Sequence, residues 1–178
     1  MQPRELAAGR QQYGFTLIEL MITLVVLAIL LLLGTNLTRS WIDRSQVDGG
    51  MASVKNAVSQ AKSAALRNTN NQPTSYAAAS VCFDSNNNTL NVVRAASQAN
   101  NACLITTEDA PEQNYILNRF ALAKGVTLKV GNADFECLSF NSAGVLVDAV
   151  GSNASCSNQL SLKIDIEKND EKVQVSIN

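Results

Sequence analysis

The sequence predicts an α+β protein, with a long N-terminal helix packed on a C-terminal antiparallel β domain. Three observations carry this expectation. Residues 15–33 are apolar almost without a break, a one-sided apolar stripe at helical spacing follows over residues 47–65, and residues 160–177 alternate apolar with polar. At 178 residues the chain has room for one compact domain and an appendage.

The first element is the run from Phe15 to Leu33. Its nineteen residues would span about 28 Å as a helix, close to the ~30 Å hydrocarbon core of a bilayer. Gly34-Thr35-Asn36, which follow, offer no small-residue signal-cleavage site. Glu19 breaks the pattern, because a carboxylate inside such a segment is unfavourable by roughly 3 kcal/mol on insertion scales. It is expected either to stay neutral near the interface or to pair with a cation of another subunit.

Beyond the run, Val47, Met51, Val54, Val58, Ala61 and Ala65 recur at spacings of four and three, with Ser, Gln, Asn and Lys between them. That pattern predicts an amphipathic helix laid on a sheet, a coiled-coil partner helix being the alternative. Gly49-Gly50 inside it is expected to be a flexible point or a close-packing site, since each Gly weakens a helix by up to ~1 kcal/mol relative to Ala. Helix from Phe15 to about Arg67 would be roughly 80 Å long. The Asn-rich stretch 68–73 ends it, with Pro73 unable to continue the hydrogen-bond ladder.

After Pro73 the period shortens. Strands are expected at 76–83, 89–94, 115–122, 126–130, 135–140, 144–150, 160–167 and 172–177. The last two form a hairpin: Leu160, Leu162, Ile164 and Ile166 alternate, Asn169-Asp170 turns, and Val173, Val175 and Ile177 alternate again. Residues 84–88 and 96–101 are polar connections.

The four cysteines all follow the apolar run, and none forms a C-x-x-C pair. With no histidine to complete a mixed zinc site, disulfides are expected and a metal is not. Of three connectivities, Cys82–Cys103 with Cys137–Cys156 closes the shortest loops. The missing histidine also removes the commonest general base, and there is no phosphate loop or nucleophile elbow. No catalytic residue and no cofactor is expected, so the chain reads as a non-enzyme. Asp84-Ser85-Asn86-Asn87-Asn88 begins like a calcium loop, but Thr89 stands where Gly is needed and Ala95 where the bidentate Glu belongs.

The formal charge of −1 exerts no global pull on polyanions. From Lys163 onward, Lys163, Lys168 and Lys172 face Asp165, Glu167, Asp170 and Glu171. Nucleic-acid binding is therefore not expected.

The octapeptide from Tyr13 to Leu20, Tyr-Gly-Phe-Thr-Leu-Ile-Glu-Leu, resembles the prepilin processing signature of type IV pilins and type II secretion pseudopilins. The resemblance implies that a prepilin peptidase cuts after Gly14 and methylates the new amino terminus at Phe15. It further implies that Glu19, fifth in the mature chain, neutralises a neighbour's N-terminal amine during assembly. A helix starting at Phe15 would carry Phe15 and Glu19 on one face. The leader is long for a simple pilin, and its only basic residues are Arg4 and Arg10. Arg39 and Arg44 follow the run, so flanking charge does not set its orientation.

The layout implied is a leader at 1–14, a transmembrane and filament-core helix at 15–34, its amphipathic continuation at 35–68 and a β-rich domain at 69–178. Within the family, the segment from Phe140 to Val145 and the terminal hairpin are similar to minor pilins and pseudopilins of the FimT, FimU and GspH type. That likeness implies a minor pilin that initiates or caps a type IV pilus in a tip complex. The alternatives are a GspH-type pseudopilin of a type II secretion system and a FimT-like DNA-uptake pilin. The absence of Pro in the helix argues against a major pilin. Implied partners are other major and minor pilins, the prepilin peptidase and the inner-membrane assembly platform. The implied location is the bacterial inner membrane, with the domain in the periplasm, and then the pilus tip or pseudopilus.

Overall fold

The computed structural model describes residues 14–95, 103, 115–147, 156 and 162–177, the side chains of 33–37 excepted. The expected leader up to residue 13, the loop 96–101 and the strand ends at 148–150 and 160–161 lie outside these residues. The chain divides into two compact units, Met1–Arg39 and Ser40–Asn178.

The first unit holds the opening turns of helix α1 (Leu17–Arg67). Every described side chain from Gly14 to Leu32 is exposed. Among the described residues no helix is long and apolar enough to cross a membrane.

The second unit combines the rest of α1 with two antiparallel sheets. Its strands are β1 (Ala79–Asp84), β2 (Thr89–Arg94), β3 (Tyr115–Ala121), β4 (Thr127–Val130), β5 (Ala133–Asp134), β6 (Cys137–Phe140), β7 (Leu146–Val147), β8 (Leu162–Lys168) and β9 (Glu171–Ile177). One sheet runs β3-β2-β1-β6-β7 and the other β5-β4-β8-β9. An α+β architecture of the pilin-like kind results. The short β5 was missed by sequence reasoning because two exposed residues carry no alternation.

The helical stripe supplies one wall of the core. Val47, Val54, Ala57, Ala61 and Ala65 are buried in one cluster with Leu90, Val92, Leu138 and Phe140 of the first sheet and Leu128, Leu162, Ile164 and Ile166 of the second. Met51 and Val58 pack at its margin. Helix α1 continues through Gly49-Gly50, and the two glycines differ. A Cβ on Gly50 would lie 3.1 Å from Ile166 and 3.4 Å from Val126, whereas one on Gly49 would meet nothing within 4 Å. Gly50 is thus a close-packing site.

The helix is ended by Asn68 before Pro73 can act. Asn68 adopts a left-handed φ of 38°, and its N–H donates to Ala64 and Ala65 at 3.3 and 3.1 Å, closing the last turn. Its side chain then braces the exit, accepting from Gln72 N–H at 2.7 Å and donating to Gln72 O at 2.9 Å.

The segment from Phe140 to Val145 also has a physical reason. Asn141 Oδ1 accepts from the N–H groups of Ala143 and Val145, both at 3.0 Å, and its Nδ2 donates to Thr74 O at 2.9 Å. Gly144 takes φ +74°, and a Cβ there would sit 3.2 Å from Leu66.

Two disulfides join the first sheet to flanking chain: Cys82–Cys103, with Cα atoms 5.7 Å apart, and Cys137–Cys156, at 4.5 Å. Cys82 and Cys137 face each other across β1 and β6, so both bridges leave the sheet at one place, packed with Val93 and Ile116.

In the second sheet Leu162, Ile164 and Ile166 point inward while the other face of the hairpin carries charge. Lys129 reaches Glu167 at 2.8 Å, and Lys172 reaches Glu167 at 2.8 Å and Asp165 at 3.0 Å. These contacts, that from Lys129 foremost, hold the Glu167 carboxyl down at about 2. Asp165 is lowered as well, first by its hydrogen bond from Gln174 and then by Lys172.

Two predictions follow from this packing. In the full chain in detergent, Gly49→Ala should raise stability by up to ~1 kcal/mol, while Gly50→Leu should lower it by about 1–3 kcal/mol through overpacking, both read by denaturant unfolding. Because the Glu167 carboxyl is depressed in the folded state, its stabilisation is present above the unfolded value near 4.5 and is lost as pH falls toward about 2, and the lowered Asp165 adds a loss in the same direction. The melting temperature should therefore decline across that window, and Glu167→Gln should make the decline shallower.

Candidate processing and assembly site

The sequence signature around Gly14 sits where the chain enters α1. Thr16 immediately precedes the first helical residue, Leu17, and its Oγ1 accepts from Glu19 N–H at 3.3 Å. This is N-cap geometry, which satisfies one of the four donors that a helix start leaves unpaired. Thr16-Leu17-Ile18-Glu19 also has the S/T-x-x-E spacing of a capping box. Sequence reasoning missed this role for Thr16, although the spacing was there to be read.

Glu19 lies in the first turn, where its charge opposes the partial positive charge of the helix N-terminus. Its carboxylate is exposed and has no ion-pair partner among the described residues. Phe15 lies outside the helix, before the cap, and is 84% exposed. It therefore does not share a helical face with Glu19 as a helix begun at Phe15 would require. A Cβ on Gly14 would meet nothing within 4 Å, so the Gly14–Phe15 bond is open on the glycine side. From Leu17 onward the exposed side chains are almost wholly apolar, with Leu17 at 78% and Ile18 at 67%. Thr23 folds its hydroxyl back onto Leu20 O at 2.8 Å, which hides its polarity within the apolar run.

The remaining sequence candidates lie in the second unit. The four cysteines are all bonded, leaving no thiolate for a metal. In the 84–88 turn, Asp84 Oδ1 accepts from Asn86 N–H at 3.0 Å and Asn87 N–H at 3.3 Å, and Oδ2 accepts from Asn87 Nδ2 at 2.7 Å. The Asn87 side chain leads in holding its pKa below the ordinary value. This carboxylate is spent on building its own turn.

An open glycine, a bulky exposed residue, a capped helix start bearing an acid and then exposed apolar turns form one short constellation. It coincides with a family match: residues 9–35 carry the prokaryotic N-terminal methylation motif, the signal of type IV pilins and pseudopilins. The match covers the start of the chain only. No curated protein and no solved structure matches the chain. This motif and the helix-then-sheet architecture together are similar to those of type IV pilins and pseudopilins.

If Thr16 caps the helix, Thr16→Ala should cost about 1 kcal/mol locally. Amide exchange of the first-turn residues in detergent should then quicken about fivefold, while Thr16→Ser should leave it nearly unchanged.

Proposed function

We propose that this chain is a minor pilin that helps initiate or cap type IV pilus assembly within a tip complex. Its role is structural, without catalysis or cofactor. The supporting observation is the helix start, where the methylation motif meets an exposed Gly14–Phe15 junction and a first-turn Glu19 without a cation among the described residues.

Cleavage after Gly14 places an ammonium at Phe15, immediately before a helix N-terminus. The macrodipole disfavours a cation there, and N-methylation leaves it charged. Glu19 of a neighbouring subunit supplies the compensating carboxylate once the apolar helices pack and water is excluded. Residues 15–33 serve first as the inner-membrane anchor, with the second unit in the periplasm, and then as filament core. The partners are other major and minor pilins, the prepilin peptidase and the assembly platform. A GspH-type pseudopilin would use the same motif, and the company of pilus or secretion genes separates the two.

A FimT-like DNA-uptake role has less support. Lys172 is engaged by Asp165 and Glu167, and Lys168 by Asp43 at 3.4 Å and by Gln46. The terminal hairpin therefore offers few free cations to a phosphate backbone.

The test is N-terminal mass analysis of the chain produced with a prepilin peptidase. A start at N-methylated Phe15 is expected, whereas a chain beginning at Met1 or cut after Gly34 would refute the reading. Glu19→Gln should be cleaved normally yet enter filaments about 100-fold less well, from the ~3 kcal/mol lost when one member of a buried pair is removed.

A further inference from the structure

We propose that the concavity between the end of α1 and strands β2 and β3 is a recognition site for an acidic side chain presented by a partner protein. The cavity, about 300 Å³, is lined by Gln60, Ser63, Arg67, Thr69, Arg94 and Leu117. Two guanidinium groups thus meet at one hollow. Neither has an ion-pair partner among the described residues, unlike Lys129, Lys168 and Lys172 of the second sheet.

Two further polar atoms are unanswered. Arg94 Nε and Gln60 Oε1 are buried without a hydrogen-bond partner among the described residues, an arrangement that folded proteins seldom leave unused. Arg94 is also held in place. Its guanidinium lies 5.6 Å from the centre of the Tyr115 ring, and Asn70 Nδ2 donates to the O of the next residue, Ala95, at 2.6 Å. A fixed planar fork fits a carboxylate, and Gln60 Oε1 can accept an N–H beside it. An acidic residue within a peptide brings both groups.

The setting also suits a peptide. β3 is the edge strand of its sheet, paired only with β2 among the described residues, so its outer backbone groups can pair with an added strand. Leu117 of β3, itself 39% exposed, forms an apolar wall beside the fork. A nucleic acid would instead need a row of cations. Arg119, the arginine of β3, does not line this hollow.

The experiment follows the arginine Nε–Hε resonances of the ¹⁵N-labelled full chain in detergent micelles. Three probes are added in turn: acetyl-Val-Glu-Val-amide, its Gln counterpart and a short oligothymidylate. The Glu peptide should shift the Arg94 signal to saturation, and the Gln peptide should bind at least about 10-fold more weakly. Arg67→Gln, at an exposed side chain whose loss leaves the fold intact, should weaken the Glu peptide about 10-fold. Arg94→Lys should do likewise, because charge is kept and the fork is lost. No response in the wild type, equal response to both peptides or tighter binding of the oligothymidylate would each overturn the proposal. Binding that appears only after Glu108, Asp109 and Glu112 are changed to Gln or Asn would overturn it too, since the chain would then be filling its own pocket. The site does not depend on cleavage at Gly14, so uncleaved and cleaved chains should bind alike.

Discussion

The packing of small residues along the second half of α1 is the contact on which the domain depends. Gly50, Ala57, Ala61 and Ala65 let the helix backbone come close enough for both sheets to share it, and Ile164, Ile166, Leu138 and Phe140 close over it without exposure. Interiors this dense tolerate neither an added methylene nor a void. The shared wall explains why two sheets with no strand in common form one core. It also explains the polar ties at the start of this unit: Ser40 Oγ donates to Glu171 at 2.8 Å, and Asp43 accepts from Asn169 Nδ2 at 2.7 Å. The helix is fastened to the β8–β9 turn from its first residues in the unit.

Among the described residues those of the core begin at Val47, and the apolar turns up to Leu32 are exposed. Their exposed side chains and the charged, capped start are then free to serve packing against other helices. The chemistry at that start is small. One hydroxyl satisfies one backbone donor, one acid meets the helix dipole, and one peptide bond lies open. The proposed assembly role asks for no catalytic group at this site: it assigns cleavage to an outside peptidase, and burial among apolar neighbours would supply the low dielectric in which an ion pair gains strength.

Much of this was legible in the sequence, because it follows from periodicity. The stripe from Val47 to Ala65, the inward row of Leu162, Ile164 and Ile166 and the turn at Asn169, whose φ is 50°, all come from spacings of 3.6 or 2. What stayed hidden rests on contacts between distant residues or on polar groups in the core. The stretch 68–73 was expected to end the helix, but that its first residue, Asn68, does so through its own left-handed backbone, ahead of Pro73, was not visible. Buried Ser80 and Ser139 pair at 2.7 Å across β1 and β6, yet each reads as an ordinary surface serine. Arg67 and Arg94, far apart in the chain, meet only because β2 lies beside the end of the helix. Gly14, Phe15 and Glu19 were legible as a motif, whereas the cap by Thr16 was missed although its spacing from Glu19 was there to be read.

The unit from Ser40 onward holds its own core, and the second half of α1 is an integral wall of it. Thermal unfolding of a fragment spanning residues 40–178, made under oxidising conditions, tests this most directly. One cooperative transition is expected, with both disulfides formed, within a few degrees of the β-domain transition of the full chain. A fragment that fails to unfold cooperatively, or that melts far below the full chain, would contradict it by showing that the apolar turns before Ser40 are part of the core.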